Sequence, residues 1–148
     1  MPWVENKGLY ILVLKLAKET TITIGKLGTF TFPPGTYCYV GQARAHLRQR
    51  LARHCRKNKP LRWHIDYLLP HVEMQAILLF PPNDTAECAL AQQVAKKGGI
   101  PFPPRFGASD CRCPGHLIHF PAHHTHRILP TPTKSRNPLQ VDSSIPKM

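Results

Sequence analysis

Between Val40 and Leu47 the apolar period of the chain changes from two residues to about four. That switch demands a sheet packed against at least one helix. Ahead of it, Gly8 to Leu16 is rich in Leu, Ile and Val and reads as a buried strand. Thr20 to Ile24 alternates Thr with Ile, and Thr29 to Phe32 alternates Thr with Phe. Each suits a half-buried strand, with a turn at Gly25-Lys26-Leu27-Gly28 between them. Pro33-Pro34-Gly35 breaks the run, and Thr36 to Val40 is a further short β-rich stretch. Beyond the switch, Leu47, Leu51 and Cys55 recur every fourth residue as one apolar stripe. The pattern predicts a helix from Ala43 to Lys57, stopped by Pro60.

The rest of the chain continues the mixture. Trp63 to Leu69 reads as a shorter second helix and Val72 to Phe80 as a strand closed by Pro81-Pro82. Asp84 or Thr85 can cap a helix running through Lys97, with Gly98-Gly99 as its stop. Ile100 to Arg105 is a proline-rich loop, and Leu117 to Phe120 a last short strand. The expected fold is α/β (α+β): one domain over residues 1–120, with a small mixed or antiparallel sheet flanked by helices. Residues 121–148 carry prolines, histidines and little apolar periodicity, and read as a disordered tail.

Charge narrows the function classes. Eight Lys or Arg residues fall between Arg44 and Arg62, with no Asp or Glu among them, and the formal net charge is +12. Such a balance favours polyanions, namely DNA, RNA or an anionic membrane surface, over a merely soluble basic protein. Met1 to Tyr10 lacks the cationic-then-apolar pattern of a signal peptide, and the longest apolar run, Leu9 to Leu14, is too short to span a bilayer. The five cysteines are odd in number, and Cys38, Cys55 and Cys88 lie within strand or helix patterns. Reduced, packed thiols in a cytoplasmic protein are the expectation.

A series of ordered blocks carries a family resemblance. Gly8-Leu9-Tyr10 opens the first strand, Tyr39-Val40-Gly41 closes a later one, and Arg50-Leu51-Ala52-Arg53-His54 follows in the helix. Then come Trp63-His64-Ile65-Asp66-Tyr67-Leu68, Glu87-Cys88, and Phe106 to Cys113 followed by His116-Leu117. The chain resembles the GIY-YIG nuclease superfamily from about Lys7 to Phe120. It is most similar to the Uri-type branch, small domains found alone or fused to endonuclease III-like glycosylases. Two departures stand out: the β segment Thr20 to Phe32 inserts an extra hairpin between the two tyrosine motifs, and Val40 replaces the usual Ile.

The resemblance implies a hydrolase of DNA phosphodiesters that uses one divalent cation, Mg2+ or Mn2+, and is structure- or lesion-directed in DNA repair. Its implied catalytic set is Tyr10 as general base or water-positioner, Tyr39 near the scissile phosphate, Arg50 on the transition-state charge, His54 in proton transfer or hydrogen bonding, and Glu87 as metal carboxylate. Gly41 is implied to let the backbone approach the phosphate. The chemistry suits these residue types. A guanidinium engages two phosphate oxygens at once, and magnesium takes one or two carboxylates with water elsewhere. A phenol with a pKa near 10 needs a nearby cation to act as a base at neutral pH. Arg44, Arg48, Arg53, Arg56, Lys57, Lys59 and Arg62 are the expected sequence-independent phosphate contacts. RNA fits the same electrostatics, a repair glycosylase is an implied partner, and no membrane partner is expected.

Each residue also has a plainer reading. The tyrosines can be strand aromatics, Arg50 and His54 a solvated helix face, and Glu87 a carboxylate favoured at a helix start. His64 and Asp66 read as structural supports. Cys111-x-Cys113-x-x-His116-x-x-His119 invites zinc, but the spacing matches no common finger and disfavours it. Two alternatives to a nuclease therefore stand: an inactive nucleic-acid-binding adaptor of the same fold, and a zinc-stabilised interaction module.

Overall fold

A computed structural model describes residues 6–81, 87–108 and 113–121. The expected caps Asp84 and Thr85, the residue Cys111 and the tail beyond Pro121 lie outside the described residues. Ten elements follow in order: β1 (Gly8–Leu16), β2 (Thr20–Ile24), β3 (Gly28–Phe32), β4 (Gly35–Ala43), α1 (Leu47–Cys55), α2 (His64–Leu68), β5 (Glu73–Phe80), α3 (Glu87–Ala95), β6 (Ile100–Pro101) and β7 (Leu117–Phe120). Short 3-10 turns occupy Gly25–Leu27 and Leu69–His71.

The main sheet has five strands in the order β5-β1-β4-β7-β6, and every neighbouring pair is antiparallel. Its second strand, β1, is buried on both faces. Tyr10, Leu12, Leu14 and Leu16 point into a core shared with α1, α2 and the β2–β3 hairpin. Leu9, Ile11 and Val13 point the other way, against Leu90, Ala91 and Val94 of α3. A continuous apolar run in an antiparallel strand thus has a simple cause: both faces are covered, so no polar alternation is needed.

The inserted hairpin forms a separate two-stranded sheet rather than extending the main one. Ile22, Ile24 and Phe32 point inward, while Thr21 and Thr23 face Thr31 and Thr29 directly across the pair. Their hydroxyls bond at 2.9 and 2.8 Å. The expected single sheet is therefore two, because the alternation leaves the hairpin one apolar face, which it packs on the helix layer. Tyr67 of α2 abuts Gly25 at its tip, where a φ of +47° suits glycine.

Helix α1 is shorter than the predicted span of Ala43 to Lys57. Ala43 still belongs to β4, paired with Gly8, and His46 enters the helix with a left-handed φ of 59°. At the other end Arg56 is extended, and the Lys59 ammonium donates to the carbonyls of Arg53, His54 and Arg56. A cation on the terminal carbonyls satisfies orphan acceptors and complements the helix dipole. The loop expected at Ile100 to Arg105 contains the two-residue edge strand β6, where a proline's missing N–H is harmless.

Candidate active site

The register of β1 against β4 creates the site. Tyr10 lies opposite Gly41, so Tyr10 and Tyr39 share one face of the sheet, with ring centroids 6.5 Å apart. A Cβ at position 41 would fall 2.4 Å from Cζ of Tyr10 and 2.5 Å from its hydroxyl. The glycine in the second motif is therefore required by the tyrosine of the first, whatever else approaches its backbone. Gly41→Ala is expected to destabilise the protein by about 1–3 kcal/mol through overpacking. A lowered urea midpoint with an unchanged m-value checks it, and an unchanged midpoint refutes the clash.

Helix α1 supplies the next layer. The Tyr10 hydroxyl bonds Nε2 of His54 at 2.9 Å, and both side chains are buried. His54 also packs beside Tyr39 and Trp63, with centroid separations of 6.3 and 5.9 Å, while its Nδ1 is buried with no hydrogen-bond partner. Burial pushes the Tyr10 phenol up to about 12 despite the opposing charge and hydrogen bond of Arg50. Burial likewise pulls the His54 imidazole down to about 3, outweighing the favourable field of Asp66. The pair therefore carries one phenolic proton and an uncharged ring at neutral pH. At Tyr10 the cost of desolvation exceeds the lowering influence of Arg50.

Arg50 is held in place from two sides. Its Nη1 donates to the carbonyl of Gln42 at 2.6 Å, and its guanidinium lies 4.8 Å from the Trp63 ring centroid. Arg53 approaches the same ring to 4.5 Å. Arg53 is committed inward, forking onto Asp66 through bonds of 2.9 and 3.0 Å. Asp66 is wholly buried and also accepts the backbone N–H groups of Arg62 and Trp63, each at 2.8 Å. Burial would raise the Asp66 carboxyl, but the Arg53 hydrogen bonds and those N–H donors outweigh it and hold the group below its ordinary value.

A cleft of about 700 Å³ opens over these groups. Tyr10, Tyr39, Gly41, Arg44, Arg50, Arg62 and Glu87 line it, with His54 directly behind Tyr10. Glu87, in the first turn of α3, acts electrostatically on both tyrosines. It is the one carboxylate lining the cleft among the described residues. One carboxylate beside phenolic oxygens and open space fits a hydrated divalent ion, which prefers oxygen ligands and retains water. Arg48, Arg56 and Lys57 are exposed in or beside α1. Arg53 and Lys59, also expected among the phosphate contacts, bond Asp66 and the α1 carbonyls. Neither partner was legible from charge spacing.

Residues without an assigned role also reach the cleft. Trp63 stacks on both arginines, and His64 accepts the Gly107 N–H at 2.8 Å through Nδ1. Burial lowers the His64 pKa, so the ring stays neutral. Cys88, Cys113 and His116 form a group whose ligand atoms lie within 4.8 Å of one another and can hold a metal ion. Cys113 and His116 also belong to the set suggested by local spacing, whose Cys111 lies outside the described residues. His119 lies elsewhere, bonding the Pro34 carbonyl and stacking on Tyr37. Cys88 joins the group from the distant helix α3, which spacing around Cys113 and His116 could not reveal.

Among the described residues no helix is long and apolar enough to cross a membrane. No curated protein and no solved structure matches the chain. A family model does, over residues 9–135, and it runs from the first strand past the boundary expected at Pro121. The chain therefore belongs to the GIY-YIG-like family described as Domain of unknown function DUF123.

Proposed function

We propose that the protein is a divalent-metal-dependent endonuclease that hydrolyses DNA phosphodiesters, of the Uri-type branch and directed by DNA structure or lesions. The observation that carries this reading is the meeting of Tyr10, Tyr39, Arg50 and Glu87, from four separate elements, around one cleft. Arg44 and Arg62 line the same cleft and make it cationic.

Hydrolysis adds water to phosphorus and breaks one P–O bond, with negative charge growing on the phosphoryl and leaving oxygens. Arg50 answers that charge. A guanidinium has five N–H donors, so its bond to Gln42 leaves others for phosphate oxygens. Tyr10, protonated at neutral pH, orients water or a phosphate oxygen by hydrogen bonding, and His54 fixes the direction of its hydroxyl. Tyr39 offers a second, half-buried phenol on the same wall. Glu87 would hold the Mg2+ or Mn2+ ion, which when bound supplies Lewis acidity and a more acidic water.

The test is a cleavage panel of branched, nicked, uracil-containing and plain DNA duplexes, with an RNA counterpart, in Mg2+ or Mn2+. Metal-dependent cutting of DNA is the expected result. Binding without cutting by the wild type would instead identify an adaptor, and preferential cutting of RNA would reassign the substrate.

Affinity is expected to come from backbone charge rather than base reading. Arg44→Ala and Arg62→Ala should each weaken binding across sequences and flatten the log K against log salt slope by about 1. Fluorescence anisotropy over a salt series measures this. A slope equal to wild type in both variants would remove these two residues from the interface.

A further inference from the structure

Two sulfur atoms and one imidazole meet at the edge of the cleft, drawn from two distant parts of the chain. Cys88 lies in the first turn of α3, directly after Glu87. Cys113 and His116 lie in the segment leading into β7, and both are buried. Sγ of Cys88 is 3.4 Å from Nε2 of His116. In a tetrahedral zinc site with bonds of 2.3 Å to sulfur and 2.0–2.1 Å to nitrogen, that separation is about 3.5 Å. The full set falls within 4.8 Å, so sub-ångström shifts bring all three atoms to one ion.

The surroundings of His116 are those of a prepared ligand. A backbone hydrogen bond ties its ring to Gly107, leaving Nε2 as the atom facing Cys88. Metal-bound histidines commonly direct their second ring nitrogen to a backbone carbonyl, which fixes tautomer and orientation. The main chain is fastened too: the His116 N–H donates to Phe106 and its carbonyl accepts from Val40, at 2.8 and 2.9 Å. His116 is thus anchored to β4 beside Tyr39, whereas Cys88 belongs to the far helix.

We infer that Cys88, Cys113 and His116 bind one zinc ion, which fastens the first turn of α3 to the β7 approach. Thiolate and imidazole donors select zinc over magnesium or manganese, so the site differs in kind from the carboxylate site at Glu87. Binding converts each thiol to thiolate and releases its proton to solvent, so zinc affinity falls as pH drops. Because Glu87 adjoins Cys88, the ion also sets where the carboxylate stands over the cleft. That last consequence rests on the proposed nuclease reading, while zinc binding itself does not.

The full chain, purified reduced and without chelators, is expected to carry one zinc per molecule by elemental analysis. Cobalt added to chelator-stripped protein should give thiolate-to-metal charge-transfer absorption and intense tetrahedral visible bands. Cys88→Ser, Cys113→Ser and His116→Ala should each lose zinc, while Cys55→Ser keeps it. Substoichiometric zinc in the wild type without the cobalt bands overturns the site, as does full zinc retention in Cys88→Ser. Should the variants fail to fold, the wild-type cobalt spectrum still decides, since it reports thiolate ligation directly. Zinc content is read without any nuclease assay, so a chain that binds zinc but cuts nothing sinks only the proposed activity.

Discussion

Arg50→Ala is expected to lower the DNA cleavage rate by about 10²–10³-fold with a much smaller loss of DNA affinity. The asymmetry follows from where the guanidinium sits. It lies inside the cleft, fixed between the Gln42 carbonyl and the Trp63 ring, so on the proposed reading it would meet charge that develops during reaction. On the proposed reading, ground-state affinity would be spread over other cations, including Arg44, Arg48 and Arg62. Interactions stronger in the transition state than in the ground state change the chemical step and leave binding nearly untouched. Arg50→Lys should recover only part of the rate, because an ammonium lacks the planar fork needed to hold Gln42 and a phosphate together. Single-turnover rates at saturating enzyme separate chemistry from binding. A variant that binds and cuts like wild type would remove Arg50 from the mechanism.

The largest stability effect is expected at Asp66. Asp66→Ala leaves the partly buried Arg53 charge and two backbone N–H groups without their acceptor, and breaking such a pair costs about 3–5 kcal/mol. The damage should spread to the cleft, since Arg53 is one of two cations stacked on Trp63 and Arg50 is the other. The pH dependence has a definite sign. The folded-state pKa of Asp66 lies below the ordinary 3.8, so the unfolded chain binds the proton more readily. Its stabilisation is fully present above that value and is lost as pH falls through the folded pKa. Urea unfolding of wild type should therefore weaken in this acid range, with a flatter profile in Asp66→Asn. Identical profiles would show that the Arg53 pair contributes nothing to folding.

His54 illustrates how far side-chain chemistry can depart from residue type. It shares a helix with Arg50 and Arg53, and on sequence alone it reads as one more cationic or titrating group. In the fold it is enclosed by Tyr10, Tyr39 and Trp63, and desolvation leaves it neutral. Its Nε2 is hydrogen-bonded to the Tyr10 phenol. Gly41 makes a related point: its lack of a side chain answers to the Tyr10 ring, a contact that exists only because β1 and β4 pair in one register.

The chain's local patterns determined a good deal unaided. The Thr–Ile and Thr–Phe alternations set the inserted hairpin, and the unbroken apolar run of β1 marked a buried central strand. The four-residue repeat located α1, because periodicities of two and nearly four are properties of neighbouring residues. What only the tertiary structure decided is which distant groups meet. Strand register put Gly41 under Tyr10, and helix packing turned Arg53 and Lys59 inward. The meeting of α3 with the approach to β7 joined Cys88 to Cys113 and His116. Charge and burial act through space, so a cation count along the chain says nothing of which cations already have partners.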